Sequence, residues 1–177
     1  MCFFKCLIFN YLKIYCMIAT PLSDVPAHAR VWIYQADRAL ADAERAEAAA
    51  MLEDFARQWA SHSAELAAFG KLLFGRFVVL AVDEAQLPAS GCSIDSSVQF
   101  LKSLEARFGL SLFDRLTFAY LDGEQIKTAN KDEFSALYKT GKINDKTLVF
   151  NNLVGTKAEM EHHWLVPLSE SWHRNFV

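Results

Sequence analysis

Between Arg76 and Phe108 an apolar run, RFVVLAVDE, passes through a small-residue turn, AQLPASGC, into a helix-forming stretch, SIDSSVQFLKSLEARF. A strand that empties into a capped helix collects carboxylates, a thiol, hydroxyls and unpaired backbone amides at one place, and such places suit ligand binding. The candidate binding residues are therefore Asp83, Glu84, Ser90, Gly91, Cys92, Ser93 and Asp95. Ser93 is expected to be the helix N-cap, Asp95 to complement the dipole from the first turn, and Gly91 to let a ligand approach the backbone. The first two roles need no ligand. A thiol beside a helix N-terminus can act as a thiolate nucleophile, so Cys92 is the one candidate catalytic residue, with His28 or His173 as its base. A lone cysteine among small residues is more often simply buried.

Other groupings are weaker. Asp83-Glu84 ends an apolar run as a Walker B strand does, where the Asp holds magnesium and the Glu polarises water. Its companion G-x-x-x-x-G-K-[ST] is absent, because Gly70-Lys71 and Gly141-Lys142 each lack the preceding Gly and the following Ser or Thr. Glu159 and His163 share a helix face at i, i+4, with His162 and His173 nearby in sequence, yet no H-E-x-x-H or paired-cysteine spacing accompanies them. Neither a metal nor a cofactor is expected. Asp114-Arg115 reads as a local ion pair or cap and Trp172-His173 as an anchor for the last segment; both could line a pocket.

The elements that must position these residues come from a chain of 177 residues, 53% hydrophobic and 22% charged, which suits one globular domain with a large core. A net charge of −3 with scattered Lys and Arg argues against nucleic acid or anionic lipid as partner, leaving a small ligand or a protein. Residues 1–16, MCFFKCLIFNYLKIYC, contain no Ala, Gly, Asp or Glu, unlike everything after them. Lys5, Asn10 and Lys13 interrupt their apolar run, so it does not read as a membrane span. The break predicts an extension that is not part of the domain, with the domain covering residues 17–177 and its translation starting at Met17. Without Lys5 and Lys13 the charge is −5. Three of the four cysteines, Cys2, Cys6 and Cys16, leave with the extension. Cys92 alone cannot form an internal disulfide, which points to a reducing, cytoplasmic setting.

Along the body, VWIY (Val31–Tyr34) predicts a strand, and residues 38–61 a helix with Leu40, Met51, Phe55 and Trp59 near one face and Asp37 as cap. Leu66–Phe74 and Arg76–Glu84 predict two strands joined near Gly75, the second buried on both faces. A helix from Ile94 to Phe108 stops at Gly109. Leu116–Leu121 and Glu124–Thr128 flank Asp122-Gly123 as a hairpin, followed by a helix over 131–140 and a strand at Thr147–Phe150. Thr156-Lys157-Ala158-Glu159 matches a capping box for a helix toward Trp164, with Pro167 as its stop and a last turn near Ser171–Phe176. This order predicts an α+β fold: a ferredoxin-like split β-α-β sandwich with a C-terminal β/α extension, helices on one face of an antiparallel sheet. A doubly wound α/β sheet is the alternative if residues 66–74 are loop or helix.

The segments PAHARVWIYQADR (26–38), RFVVLAVDE (76–84), ASGCSIDSSVQFL (89–101), LFDRL (112–116), VFNNLV (149–154), TKAEM (156–160) and ESWHRNF (170–176) resemble a family of short prokaryotic proteins commonly labelled "ABC transporter ATPase". The resemblance runs from about Leu22 to the end and implies a nucleotide-binding, transporter-associated role, with no catalytic residues to carry over. The chain has neither the Walker A loop nor the LSGGQ-type signature that this role requires. The residues themselves favour a ligand- or protein-binding domain without catalysis, a thiol-dependent enzyme using Cys92 being the alternative.

Overall fold

The chain builds outward from β5 (Phe77–Asp83), whose alternate side chains are buried on both sides. Phe77, Val79 and Ala81 enter one cluster and Val78, Leu80 and Val82 another. A strand with no polar face must be covered twice, and the rest of the chain does so. The structure, a computed structural model, describes residues 22–61 and 64–177. The expected extension over residues 1–16 and the boundary at Met17 lie outside the described residues.

β1 (Arg30–Gln35) and β4 (Ala67–Leu73) flank β5 in antiparallel order β1-β5-β4. α1 (Asp42–Gln58) links β1 to β4, and α2 (Gly91–Phe108) follows β5. These two helices supply Leu52, Leu101, Leu104 and Phe108 to the cluster on one face of this sheet, joined by Trp59. This is the split β-α-β arrangement expected from the sequence, realised over three strands. The next strand, β6 (Thr117–Asp122), does not close that sheet. It founds a second antiparallel sheet of order β7-β6-β8-β9, with β7 (Gln125–Asn130), β8 (Leu148–Phe150) and β9 (Leu165–Pro167). Every strand pairing among the described residues is antiparallel, so the doubly wound alternative does not apply, and the fold is α+β.

The second sheet covers the other face of the first. Phe77 of β5 meets Phe150 of β8 at a centroid distance of 4.7 Å and Trp164 at 5.0 Å, and Phe74 joins them. On the far side of the second sheet, α3 (Lys131–Lys139) and the C-terminal 3-10 turns bury Phe134 and Leu168 and pack the half-buried Trp172 and Phe176 against Phe118. The layers run helix, sheet, sheet, helix, with α4 (Lys157–His163) at the edge of the inner core through Met160.

Several local expectations shift by a few residues, each for an identifiable reason. α1 starts at Asp42 rather than after Asp37, because Leu40 N–H is taken by Gly75 O at 2.8 Å and Glu44 reaches back to Ala41 N–H at 2.7 Å. Asp37 instead accepts from Ser111 N–H at 3.0 Å, tying the end of β1 to the chain after α2. α1 stops at Gln58 so that Trp59 can turn inward, and its indole donates to Ser93 O at 2.8 Å. Ser90, not Ser93, caps α2, accepting from Ser93 N–H at 3.3 Å, so Asp95 falls beyond the first turn. Pro167 ends an edge strand rather than a helix: α4 has already stopped at His163, and Pro167 lies opposite Leu148, where an edge tolerates a missing N–H. The short pair β2 (Ala60–Ser61) and β3 (Ala64–Glu65) carries no sequence signal of its own.

The turn between β4 and β5 places Phe74 at φ 54° and Gly75 at φ 62°. A Cβ on Gly75 would press on Arg45 Nε, whereas one on Gly91 would meet nothing within 4 Å. Gly75→Ala should therefore lower stability by about 1–3 kcal/mol in urea denaturation, and Gly91→Ala should leave the midpoint unchanged or slightly raised.

Candidate functional site

The residues first singled out stand at the exit of β5 and the start of α2. Asp83 Oδ1 accepts from Ala85 N–H at 3.0 Å and bonds His28 Nε2 at 2.8 Å, and these contacts, the amide first, hold its carboxyl below the usual range. Glu84 accepts from Ala89 N–H at 3.0 Å and faces Arg30 at 3.6 Å. Both acids thus brace the turn that leads into α2. Ser93 is buried and its hydroxyl donates to Ser90 O at 2.8 Å. Cys92 is exposed. His28 is engaged by Asp83, and His173 is buried in a different part of the fold, against Phe118 and Trp172. Thr156 caps α4, accepting from Glu159 N–H at 3.2 Å, and the Glu159 carboxylate accepts from Gly155 N–H at 2.7 Å where a capping box would return to Thr156. Among the described residues no three His, Cys, Asp or Glu side chains gather as metal ligands would, and no helix is long and apolar enough to cross a membrane.

A different place has the shape of a site. β1 pairs with β5 along one edge over its whole length. Among the described residues its other edge is tied only at the start, where Val31 N–H donates to Gly155 O at 3.0 Å and Lys157 N–H to Ala29 O at 2.9 Å. Strand alternation turns the N–H and C=O of every second residue to the same side. The outward set therefore continues with Val31 C=O, Ile33 N–H, Ile33 C=O and Gln35 N–H, and none has a partner among the described residues.

Alongside this edge runs a cleft of about 570 Å³. Its walls are β1, the segment from Leu112 to Phe118, the turn from Asn152 to Gly155, and Trp172 and His173. Phe113, Leu116 and Leu153, at 38%, 54% and 66% exposure, are the exposed large hydrophobics among the described residues, and all three line it. Apolar side chains held open to solvent at one concave place mark a contact surface.

The polar groups in this cleft sort into a satisfied floor and unsatisfied walls. Gln35, 7% exposed, donates from Nε2 to Thr117 O at 3.0 Å and accepts from Asn152 Nδ2 at 3.1 Å. Asn152 Oδ1 in turn accepts from Trp164 Nε1 at 2.8 Å. On the walls, Trp172 Nε1 is buried with no acceptor among the described residues. Arg115 is exposed and forms no ion pair among them; Asp114 beside it accepts instead from Leu116 N–H at 2.8 Å and Thr117 Oγ1 at 2.6 Å. Burial pushes the Tyr34 hydroxyl up, the nearby Arg115 charge opposing it, so it stays a neutral donor.

Sequence reasoning named Asp114-Arg115 and Trp172-His173 as groups able to line a pocket, and the structure brings both pairs to this cleft. It missed Gln35, which reads as the end of a strand, and Asn152, which reads as a turn residue. No motif joins these positions; the second sheet does. Comparison with protein-family models, with curated proteins and with solved structures gives no match.

His173, 2% exposed, bonds Ser171 Oγ at 2.8 Å, and burial pushes its pKa down to about 4. Between that value and the ordinary 6.5 the unfolded chain holds a proton that the folded chain excludes, so stability should fall as pH drops from 6.5 toward 4. The loss should reach about 3 kcal/mol. Urea midpoints at pH 7 and pH 5 check this, and His173→Gln should remove most of the difference.

Proposed function

We propose that the protein is a binding module without chemistry of its own, whose ligand or protein partner enters the cleft beside β1. The observation that carries this reading is the convergence on one hollow of Phe113, Leu116 and Leu153 with Arg115, which has no ion pair among the described residues. A volume of 570 Å³ lies within the range of roughly 300–1,000 Å³ usual for ligand pockets. The apolar walls would supply most of the binding free energy, and Arg115, Trp172 and Tyr34 would fix orientation. The free thiol of Cys92, the one cysteine among the described residues, and the spread of charge support a cytoplasmic location.

A thiol-dependent enzyme is the second reading, favoured by the exposure of Cys92. It needs a base at Cys92, and among the described residues none is hydrogen-bonded to that thiol. Iodoacetamide alkylation at pH 7 separates the two readings: a rate equal to that of free cysteine removes the enzyme, and a rate more than tenfold higher favours it. The nucleotide-binding role rests on the family resemblance alone.

The cleft itself is tested with an apolar fluorescent probe, 8-anilinonaphthalene sulfonate. The native protein should bind it at one saturable site, and Leu153→Asp or Leu116→Asp should weaken binding at least tenfold with the circular dichroism spectrum unchanged. No binding, or binding indifferent to both substitutions, contradicts the reading.

A further inference from the structure

We infer that the partner is an extended peptide segment of another protein, added as a strand to the free edge of β1, with an acidic side chain set against Arg115. The inference rests on the cleft being the binding site and narrows its occupant by the chemistry of the edge. Val31 C=O, Ile33 N–H, Ile33 C=O and Gln35 N–H form an alternating row of acceptors and donors without partners among the described residues. Residues two apart on a strand repeat every ~6.6–6.8 Å, and a peptide backbone in extended form matches that repeat group for group. A compact metabolite would satisfy one or two of the four. The same edge already accepts such pairing, since the chain's own Thr156 forms an antiparallel bridge with Arg30 at its start.

The walls favour a single strand. The segment from Leu112 to Phe118 stands across the cleft from β1, and Gln35 Nε2 is bonded to Thr117 O. A second copy of this chain would have to bring a whole sheet behind its pairing strand, into space that segment occupies. A lone strand presents alternate side chains to the two sides of the groove, where Phe113, Leu116 and Leu153 offer apolar contact. Arg115 carries an exposed positive charge with no carboxylate bonded to it among the described residues, so a carboxylate on the incoming segment completes the pair. Trp172 Nε1, buried without an acceptor among the described residues, would gain one from a peptide carbonyl.

The probe is a displayed library of random ten-residue peptides selected on the full chain, followed by synthesis of the best binder. Enriched sequences should combine β-branched or aromatic residues with an acidic residue. Methylating the peptide's backbone nitrogens one at a time should weaken binding at least tenfold at alternate positions and leave the intervening ones unaffected, because only every second amide of an added strand faces β1. Hydrogen exchange at Ile33 and Gln35 should slow on binding. Ile33→Pro removes an N–H that β5 does not use and should abolish binding; Arg115→Glu, at an exposed position, should weaken peptides with an acidic residue and spare their amide analogues.

Loss of binding at every methylated position or at none overturns strand addition, as does a library that yields no binder. If the fluorescent probe still occupies the cleft in that case, the binding reading stands and only the peptide falls. Ile33 and Gln35 amides already protected in the free protein, and released by deleting residues 1–21, would assign the edge to the chain's own leading segment and overturn the proposal. A dimer in sedimentation that Ile33→Pro dissolves would assign it to a second copy, with the same consequence.

Discussion

The two sheets share one inner core, and a chain of side-chain hydrogen bonds sets how far apart their edges stand. Gln35 holds Thr117 with its amide nitrogen and Asn152 with its amide oxygen, and Asn152 holds the indole of Trp164. All of this lies next to apolar neighbours, where an amide left unpaired costs about 1–3 kcal/mol. The separation of β1 from β6 is therefore fixed by polar groups that have little freedom to satisfy themselves otherwise. If β6 moved closer to pair with β1, as the fourth strand of a ferredoxin-like sheet does, Gln35 would lose its place. The cleft is the space that this arrangement keeps.

Helices and hairpins were legible because their signals are local. The apolar stripe of α2 and Gly109 after it mark that helix to within a few residues, and Asp122-Gly123 marks the β6–β7 turn, where Gly123 takes φ 62°. The double burial of β5 was legible from its unbroken apolar run. What could not be read was which sheet each strand joins. LTFAYL alternates and packs on two sides in either arrangement, and the choice is made by distant residues such as Phe150 and Trp164, which cover the face of β5 that α1 and α2 leave open.

The site divides in the same way. The residues from Asp83 to Asp95 were conspicuous because a strand-to-helix junction concentrates polar groups. The structure shows those groups largely spent on the junction: Asp83 on Ala85, Glu84 on Ala89, Ser90 on Ser93. The cleft draws instead on four stretches distant in sequence, and its defining feature is backbone without a partner among the described residues. Main-chain vacancy leaves no mark in a residue's identity. Arg115 and Trp172 could be suspected as isolated groups, but their common location follows only from the fold.

Phe74 bears on how this chain reaches its folded state. A non-glycine residue at positive φ is disfavoured on its own, so the turn between β4 and β5 draws support from what the ring touches: Phe77, Phe150 and Trp164. Two of those three belong to the far end of the chain. The β4–β5 hairpin is consequently weak as an isolated unit and becomes firm when residues 150 and 164 arrive, which ties early local structure to late, long-range contact. Such coupling slows collapse to a single state relative to helical proteins of similar size. During synthesis it leaves the apolar inner face of the first sheet uncovered until the second sheet emerges from the ribosome, the interval in which chaperones have most to do.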